Sequence, residues 1–233
     1  MRRSDANAAR MGEGASVIEP QTHVPSWAGG PTTRRGASPP RSQPVERVSR
    51  IQHVRSTMLL SSRNALTLGG AFERYEANLS EATRAMLSEV VAGVWLPIEL
   101  ALDHYAACDA LQISHATQHS LGRANADSIR GTLMGTVARI ARTAGSTPVT
   151  ILEQMPRFWA RIFDGGSVTS VVRGPKEADI IVIADPVMRS EYFRHGLLGF
   201  AEMMLGLLTT RIYVRIHAFD AREAKVVYRA QWV

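Results

Sequence analysis

The sequence predicts an α+β fold in which N-terminal helices pack on a four-stranded antiparallel sheet. Apolar residues recur at three- and four-residue spacing up to about residue 163, and they recur at every second position beyond it. The second half of the chain also follows the order strand, strand, helix, strand, strand. Helices followed by paired strands are typical of an antiparallel sheet with helices laid on it.

The first 50 residues are predicted to be a disordered Pro/Gly/Arg-rich arm, ahead of a single α+β domain at residues 51–233. This segment holds six of the 11 prolines and eight arginines but few large aliphatic residues. It cannot bury enough apolar area to offset the entropy of ordering. A second interpretation is that the true start lies near Met58, so that residues 1–57 are not native.

Charge and composition exclude several classes of protein. Outside the arm, 19 basic residues face 17 acidic ones, and the arm's arginines are scattered, which argues against nucleic acid as a partner. Cys108 is the only cysteine, so no intrachain disulfide forms and a cytoplasmic location is expected. The apolar window from Leu197 to Leu208 is too short to span a bilayer about 30 Å thick.

Capping residues and prolines mark the predicted helices of the first part. Ser80 caps a helix with the apolar stripe Met86, Leu87, Val90, Val91 and Val94. Pro97 suits the first turn of the next helix, which runs to about Asp109 with Trp95, Ile98, Leu102 and Tyr105 as its apolar stripe.

Three further helices are predicted before the sheet. Ser114 caps one, and a longer helix follows with Ile129, Leu133, Val137, Ile140, Ala141 and Ala144 on one face. Thr147-Pro148 begins a short helix, which Pro156 is expected to break or restart because proline lacks a backbone donor.

The remaining elements are the strands and the helix between them. Residues Ser167 to Arg173 and Ala178 to Ala184 are predicted to be strands, followed by a helix from Arg189 to about Leu208. Alternation at 212–218 and 226–232 then predicts a second hairpin that turns around Asp220 to Glu223.

Catalytic and metal-binding signatures are few. The chain contains no glycine-rich phosphate loop, nucleophile elbow, paired-cysteine motif or HExxH, so we do not expect an enzyme. On one unbroken helix, His104, Cys108, His115 and His119 would spread over about 22 Å, too far for one ion. His115 and His119 alone are weak candidates for a metal, because two ligands are too few without a third. Solvated or hydrogen-bonded histidines are the preferred interpretation.

Aromatic and glycine landmarks carry a resemblance that covers roughly residues 53–233. These landmarks are Trp95-Leu96-Pro97, Gly122-Arg123, the run from Pro156 to Gly166 (PRFWARIFDGG), and Trp232. Their order resembles an uncharacterised family of myxobacterial paralogues. That family is similar in turn to the superfamily of haem nitric-oxide-binding domains, 4-vinyl-reductase-type ligand-sensing domains and transport-particle subunits.

The resemblance implies helices that enclose a pocket against an antiparallel sheet, a sensing or scaffold role, and often a dimer. Haem-binding members carry a tyrosine-x-serine-x-arginine run, which is missing here. Members of the 4-vinyl-reductase type carry cysteines near the last hairpin, and no cysteine follows Cys108. We therefore expect no haem, no zinc and no other cofactor.

The sequence therefore predicts a non-enzymatic sensing or signalling module that binds a small apolar ligand between helices and sheet. The predicted pocket residues are Trp95, Tyr105, Trp159, Phe200 and Met204. The alternative is a protein-interaction or scaffold domain with a filled core and no ligand. A homodimer is also predicted, because the helix within 197–208 is apolar on every side and must be covered on every side.

Overall fold

A computed structural model of the chain describes residues 48–126 and 147–233 and confirms the predicted α+β class. The helices are α1 (Ser56–Leu68), α2 (Phe72–Ala77), α3 (Glu81–Glu89), α4 (Ile98–Asp109), α5 (115–126), α6 (Pro148–Trp159) and α7 (Glu191–Leu205). The strands are β1 (His53–Arg55), β2 (Trp95–Pro97), β3 (Ser167–Gly174), β4 (Glu177–Ile183), β5 (Ile212–Asp220) and β6 (Lys225–Trp232). Short 3₁₀ turns, Val187–Arg189 and Gly206–Leu208, flank α7.

The main sheet has the strand order β3-β4-β6-β5, and all of its neighbours are antiparallel. The two predicted hairpins therefore meet along β4 and β6, where Ile180 lies opposite Tyr228. Along these central strands every second residue is buried, which places one face of the sheet against the helices. The buried residues of that face include Ala178, Ile180, Val182, Val226, Tyr228 and Ala230.

A second, two-stranded sheet ties the residues before α1 to the rest of the fold. β1 pairs with β2, and Val54 also bridges to Phe163. The Asp164 carboxylate accepts hydrogen bonds from the amides of Gln52 and His53 at 2.8 and 2.7 Å. Because Ile51 and Val54 are fully buried, the residues just before Met58 belong to the core.

Three local predictions are wrong. α6 continues through Pro156, since burial of Ile151, Leu152 and Phe158 on one face offsets the loss of about 3 kcal/mol that an internal proline costs. α3 ends at Glu89, which leaves Val91 and Val94 outside the helix and exposed. Trp95 lies in β2 and not on a helix. The predicted helix at 129–144 lies outside the described residues.

The packing of α7 bears on the predicted dimer. Ser190 caps this helix by accepting from the Phe193 amide at 3.1 Å. Met203, Met204 and Leu205 are buried, and the remaining large apolar residues are partly buried against the same core: Leu197, Leu198, Phe200, Leu207 and Leu208. One chain thus supplies contacts on several sides of the helix, and the homodimer stays a prediction. No helix in the described residues is both long and apolar enough to cross a membrane.

Candidate functional site

An apolar cavity of about 60 Å³ lies between α1, α6, α7 and the buried face of the sheet. No polar atom contributes to its surface. We call it the apolar cavity, and its walls are Met58 of α1, Ile151, Met155, Phe158 and Trp159 of α6, Ile162 and Phe163 beyond α6, Val168, Ile180, Val182 and Tyr228 of the sheet, and Leu197, Phe200, Ala201 and Met204 of α7.

The structure brings three of the five predicted pocket residues to this cavity, namely Trp159, Phe200 and Met204. Tyr105 lies instead on a neighbouring space of about 20 Å³, which Phe200 also borders. Trp95 is away from both spaces. It is 38% exposed, and the Arg55 guanidinium lies 4.0 Å from its ring centroid.

The polar atoms of the two largest aromatic side chains are bonded outside the cavity. The Trp159 indole nitrogen donates to the Gly165 carbonyl at 2.8 Å, and the Tyr228 hydroxyl donates to the Arg194 carbonyl at 2.8 Å. Phe163 packs on Trp159 with ring centroids 4.5 Å apart. Trp159 and Tyr228 therefore present carbon surface to the cavity, while backbone carbonyls accept the hydrogen bonds of their polar groups.

Methionines supply an adaptable part of the wall, which the sequence prediction did not include apart from Met204. Met58 and Met155 line the cavity on the α1 and α6 sides. A methionine side chain has three rotatable bonds and a polarisable sulfur, so it can follow the outline of a guest. The cavity can thus adjust its volume without a change in the backbone.

A buried polar network lies next to the cavity, and we call it the tyrosine–histidine cluster (Ser62, Tyr75, His104, Cys108 and Tyr192). The Tyr75 hydroxyl is 2.7 Å from His104 Nδ1, and His104 Nε2 is 3.0 Å from the Ser62 hydroxyl. Ser62 is in turn 3.0 Å from the Tyr192 hydroxyl. The sequence offered no partner for His104, because Tyr75 and Ser62 lie 29 and 42 residues away from it along the chain.

Burial sets the protonation of this cluster. Desolvation, with a smaller contribution from Arg63, lowers the pKa of His104 from 6.5 to about 3, so the imidazole is neutral at physiological pH. Desolvation likewise raises the pKa of the Tyr75 phenol and of the Cys108 thiol. The cluster is therefore an uncharged hydrogen-bonded unit.

The two histidines suggested as a metal pair bind separate carboxylates. His119 Nε2 is 2.8 Å from Glu202, which Arg123 also contacts at 2.7 Å. His115 Nε2 is 2.6 Å from Glu191. The i, i+4 spacing therefore does not bring these two rings to a common ion.

No family model matches the chain, and no curated protein matches it. Solved structures of H-NOX domains share its fold. The H-NOX protein of K. algicida, in an Fe(II) unliganded variant, matches 77% of this chain and 96% of its own, with 8% identity and a TM-score of 0.58. An oxygen-binding H-NOX domain related to soluble guanylate cyclases matches 76% and 94%, with 10% identity and a TM-score of 0.53. A Cs H-NOX variant matches 76% and 96%, with 10% identity and a TM-score of 0.56.

The cavity of this chain does not fit a haem. Ligand pockets for drug-sized molecules measure roughly 300 to 1,000 Å³, and this cavity is several times smaller than the lower bound. Among the described residues that line it there is no histidine or cysteine, and the hydroxyl of Tyr228 is bonded to backbone. His104 has both ring nitrogens engaged within the tyrosine–histidine cluster. Among the described residues, neither the cavity wall nor His104 therefore offers a free side chain to ligate a haem iron.

Proposed function

We propose that this chain is a non-enzymatic sensing module that binds a small apolar molecule in the apolar cavity. The observation that carries the proposal is a cavity wall without polar atoms, formed by helices on one side and by the sheet on the other. An apolar wall of this kind gives water no hydrogen-bond partners, so water is a poor occupant. An apolar guest gains dispersion contacts there without having to displace well-bound solvent.

The size of the cavity limits the guest. An engineered cavity of about 150 Å³ accepts benzene, and the space here is less than half of that. The proposed guest is therefore either a molecule of a few heavy atoms, or a larger one for which Met58, Met155 and Met204 move aside.

The guest would act on the fold through α7 and α6. α7 supplies Leu197, Phe200, Ala201 and Met204 to the wall, and α6 supplies four more residues. A guest that stabilises one position of these helices shifts the population toward it, and that shift is the signal of a sensing module. We further propose that this chain belongs to the H-NOX superfamily, among members that sense ligands without haem. The myxobacterial paralogues that the sequence resembles would belong to the same group.

The experiment is binding of defined apolar probes to the full chain. We expect benzene or xenon to raise the melting temperature and to change the tryptophan fluorescence, to which Trp159 at the cavity wall contributes, and methanol at equal concentration to do neither. A probe at ten times its Kd adds about 1.4 kcal/mol to the free energy of unfolding. Native mass spectrometry of the purified protein reports any guest that is already bound.

The variant Ala201→Leu adds three carbons to the cavity wall and should abolish the probe response. Ala106→Leu is the matched control, because it makes the same change at an exposed position of α4. If neither xenon nor benzene stabilises the wild-type protein, the interaction or scaffold function with a filled core replaces this proposal. If Ala201→Leu responds as strongly as wild type, the guest binds elsewhere.

A further inference from the structure

Three metal-binding side chains converge where the start of α5 meets the start of α7. They are His115, Glu191 and His195, and their ligating atoms lie within 4.8 Å of one another. The two imidazole rings are stacked, with centroids 3.9 Å apart and planes inclined by 10°. His115 Nε2 is also 2.6 Å from a Glu191 oxygen. The sequence separates His115 from His195 by 80 positions, so spacing along the chain did not indicate this group.

Close packing of α5 on α7 fixes the backbone positions from which these three side chains extend. A Cβ on Gly122 would lie 2.0 Å from the Gly196 carbonyl oxygen, and a Cβ on Gly199 would lie 2.1 Å from the His119 carbonyl oxygen. Such contacts are open only to glycine. The two helices therefore touch backbone to backbone directly beyond the cluster, and the positions of its three residues are set by rigid elements.

The chemistry of the cluster matches a divalent transition-metal ion. Two imidazoles and one carboxylate form a known three-residue ligand set for zinc, with a fourth position left for water. Tetrahedral ligands about 2.0 to 2.2 Å from zinc lie roughly 3.4 Å apart, so the ligating atoms have to approach by about 1 Å. The stacked imidazole rings also have to turn about their side-chain bonds until their nitrogen lone pairs converge on the ion. Mg²⁺ and Ca²⁺ prefer oxygen ligands and would not select it.

The charged group next to His195 in the chain, the Arg194 guanidinium, is held by contacts outside the cluster. The Arg194 guanidinium donates to the carbonyls of Met188 and Arg189 at 2.9 Å each and lies over the Phe219 ring. His119 is turned toward Glu202. His115 and Glu191 have side chains that are 60% and 50% exposed, so an ion can reach them from solvent.

We propose that His115, Glu191 and His195 form a binding site for a divalent transition-metal ion, with zinc as the expected ion. The bound ion would join the first turn of α5 to the first turn of α7. This site is separate from the apolar cavity and does not depend on the function proposed for it.

The test is titration of the full chain with Zn²⁺ at pH 7.5, in competition with a chromogenic chelator. We expect one ion per chain and a rise in melting temperature that Mg²⁺ does not produce. Loss of a supporting contact at a metal site typically weakens binding about 10- to 100-fold, so loss of a ligand in His115→Ala or His195→Ala should weaken it at least tenfold. Co²⁺ in place of zinc should give visible absorption bands of a tetrahedral site.

Two matched controls keep the proposal open to refutation. His217→Ala removes an exposed histidine of β5, and His119→Ala removes the neighbouring histidine that contacts Glu202. Both variants should bind Zn²⁺ as tightly as wild type does. Circular dichroism without metal checks that every variant is folded. The proposal is overturned if wild type binds no tighter than the double variant His115→Ala/His195→Ala, or if only His119→Ala loses binding.

Discussion

The apolar cavity and the tyrosine–histidine cluster are neighbours in one core and have opposite chemistry. The cavity offers space and no polar atom, whereas the cluster offers hydroxyls, an imidazole and a thiol whose hydrogen bonds are directed mostly at one another. His104 is buried in this core with both ring nitrogens hydrogen-bonded, so its presence is not evidence for a ligand in this chain. The apolar cavity offers a guest no polar group, so recognition there depends on shape and on dispersion contacts.

The largest expected effect is the loss of stability when the tryptophan that lines the cavity is replaced, compared with a tryptophan outside the cavity. Trp159→Ala should lower the free energy of unfolding by about 3 to 5 kcal/mol, because it removes a buried ring that packs on Phe163 and bonds to Gly165. Trp95→Ala, at a partly exposed position, should cost less than about 1 kcal/mol. Urea unfolding followed by circular dichroism measures both. A loss below 1 kcal/mol for Trp159→Ala would show that the cavity wall is not part of the stable core.

Acid should destabilise the protein through His104. Burial lowers the pKa of His104 to about 3, so between pH 6.5 and 3 the unfolded chain takes up a proton that the folded protein excludes. The contribution of the neutral imidazole is complete above pH 6.5 and is lost as the pH falls toward 3. From pH 6.5 to 4.5 the expected loss is roughly 2 kcal/mol, because the slope rises from half of about 1.4 kcal/mol per pH unit at pH 6.5 to the full value at lower pH.

His104→Gln is the control for this effect, since glutamine keeps hydrogen-bonding groups but does not titrate in that range. Urea midpoints at pH 7.0, 5.5 and 4.5 should fall less steeply for His104→Gln than for wild type. Equal slopes for the two proteins would mean that His104 is accessible to protons in the folded state.

Two buried tyrosines test whether the cluster depends on hydrogen bonds. Tyr75→Phe leaves His104 Nδ1 without its partner and should cost about 1 to 3 kcal/mol. The Tyr105 hydroxyl is buried and has no hydrogen-bond partner among the described residues, so Tyr105→Phe should be neutral or stabilising. Chemical denaturation at pH 7 compares the pair. Equal losses would contradict the assignment of Tyr105 as unpaired.

The sequence predicted the parts of this fold that follow from local pattern. The four strands, their two hairpins and the caps at Ser80 and Ser114 depend on alternation and on residues next to each other in the chain. Trp95 and Pro156 were misplaced because pairing with β1 and burial of α6 override local preference. The hydrogen bonds of His104 with Tyr75 and Ser62 and the stacking of His115 on His195 join residues 29 to 80 positions apart, which one sequence does not reveal.

The smallest expected effect is a change in the rates at which the apolar cavity and the tyrosine–histidine cluster open to solvent. Cys108 is the only thiol, and burial raises its pKa, so a thiol reagent can label it only when the cluster opens. Ala201→Cys in a Cys108→Ala background places the only thiol in the cavity wall instead. Benzene at ten times its Kd should slow labelling of the cavity thiol about tenfold, because the bound state cannot open there.

Labelling of Cys108 in the wild-type protein should slow less under the same conditions, since regions of one domain open with different free energies. Stopped-flow absorbance with an aromatic disulfide reagent measures both rates. Equal slowing would show that cavity and cluster open together as one unit. The two regions would then differ in the polarity of their side chains but not in how often they open. If benzene changes neither rate although each thiol reacts on unfolding, the cavity does not bind the probe.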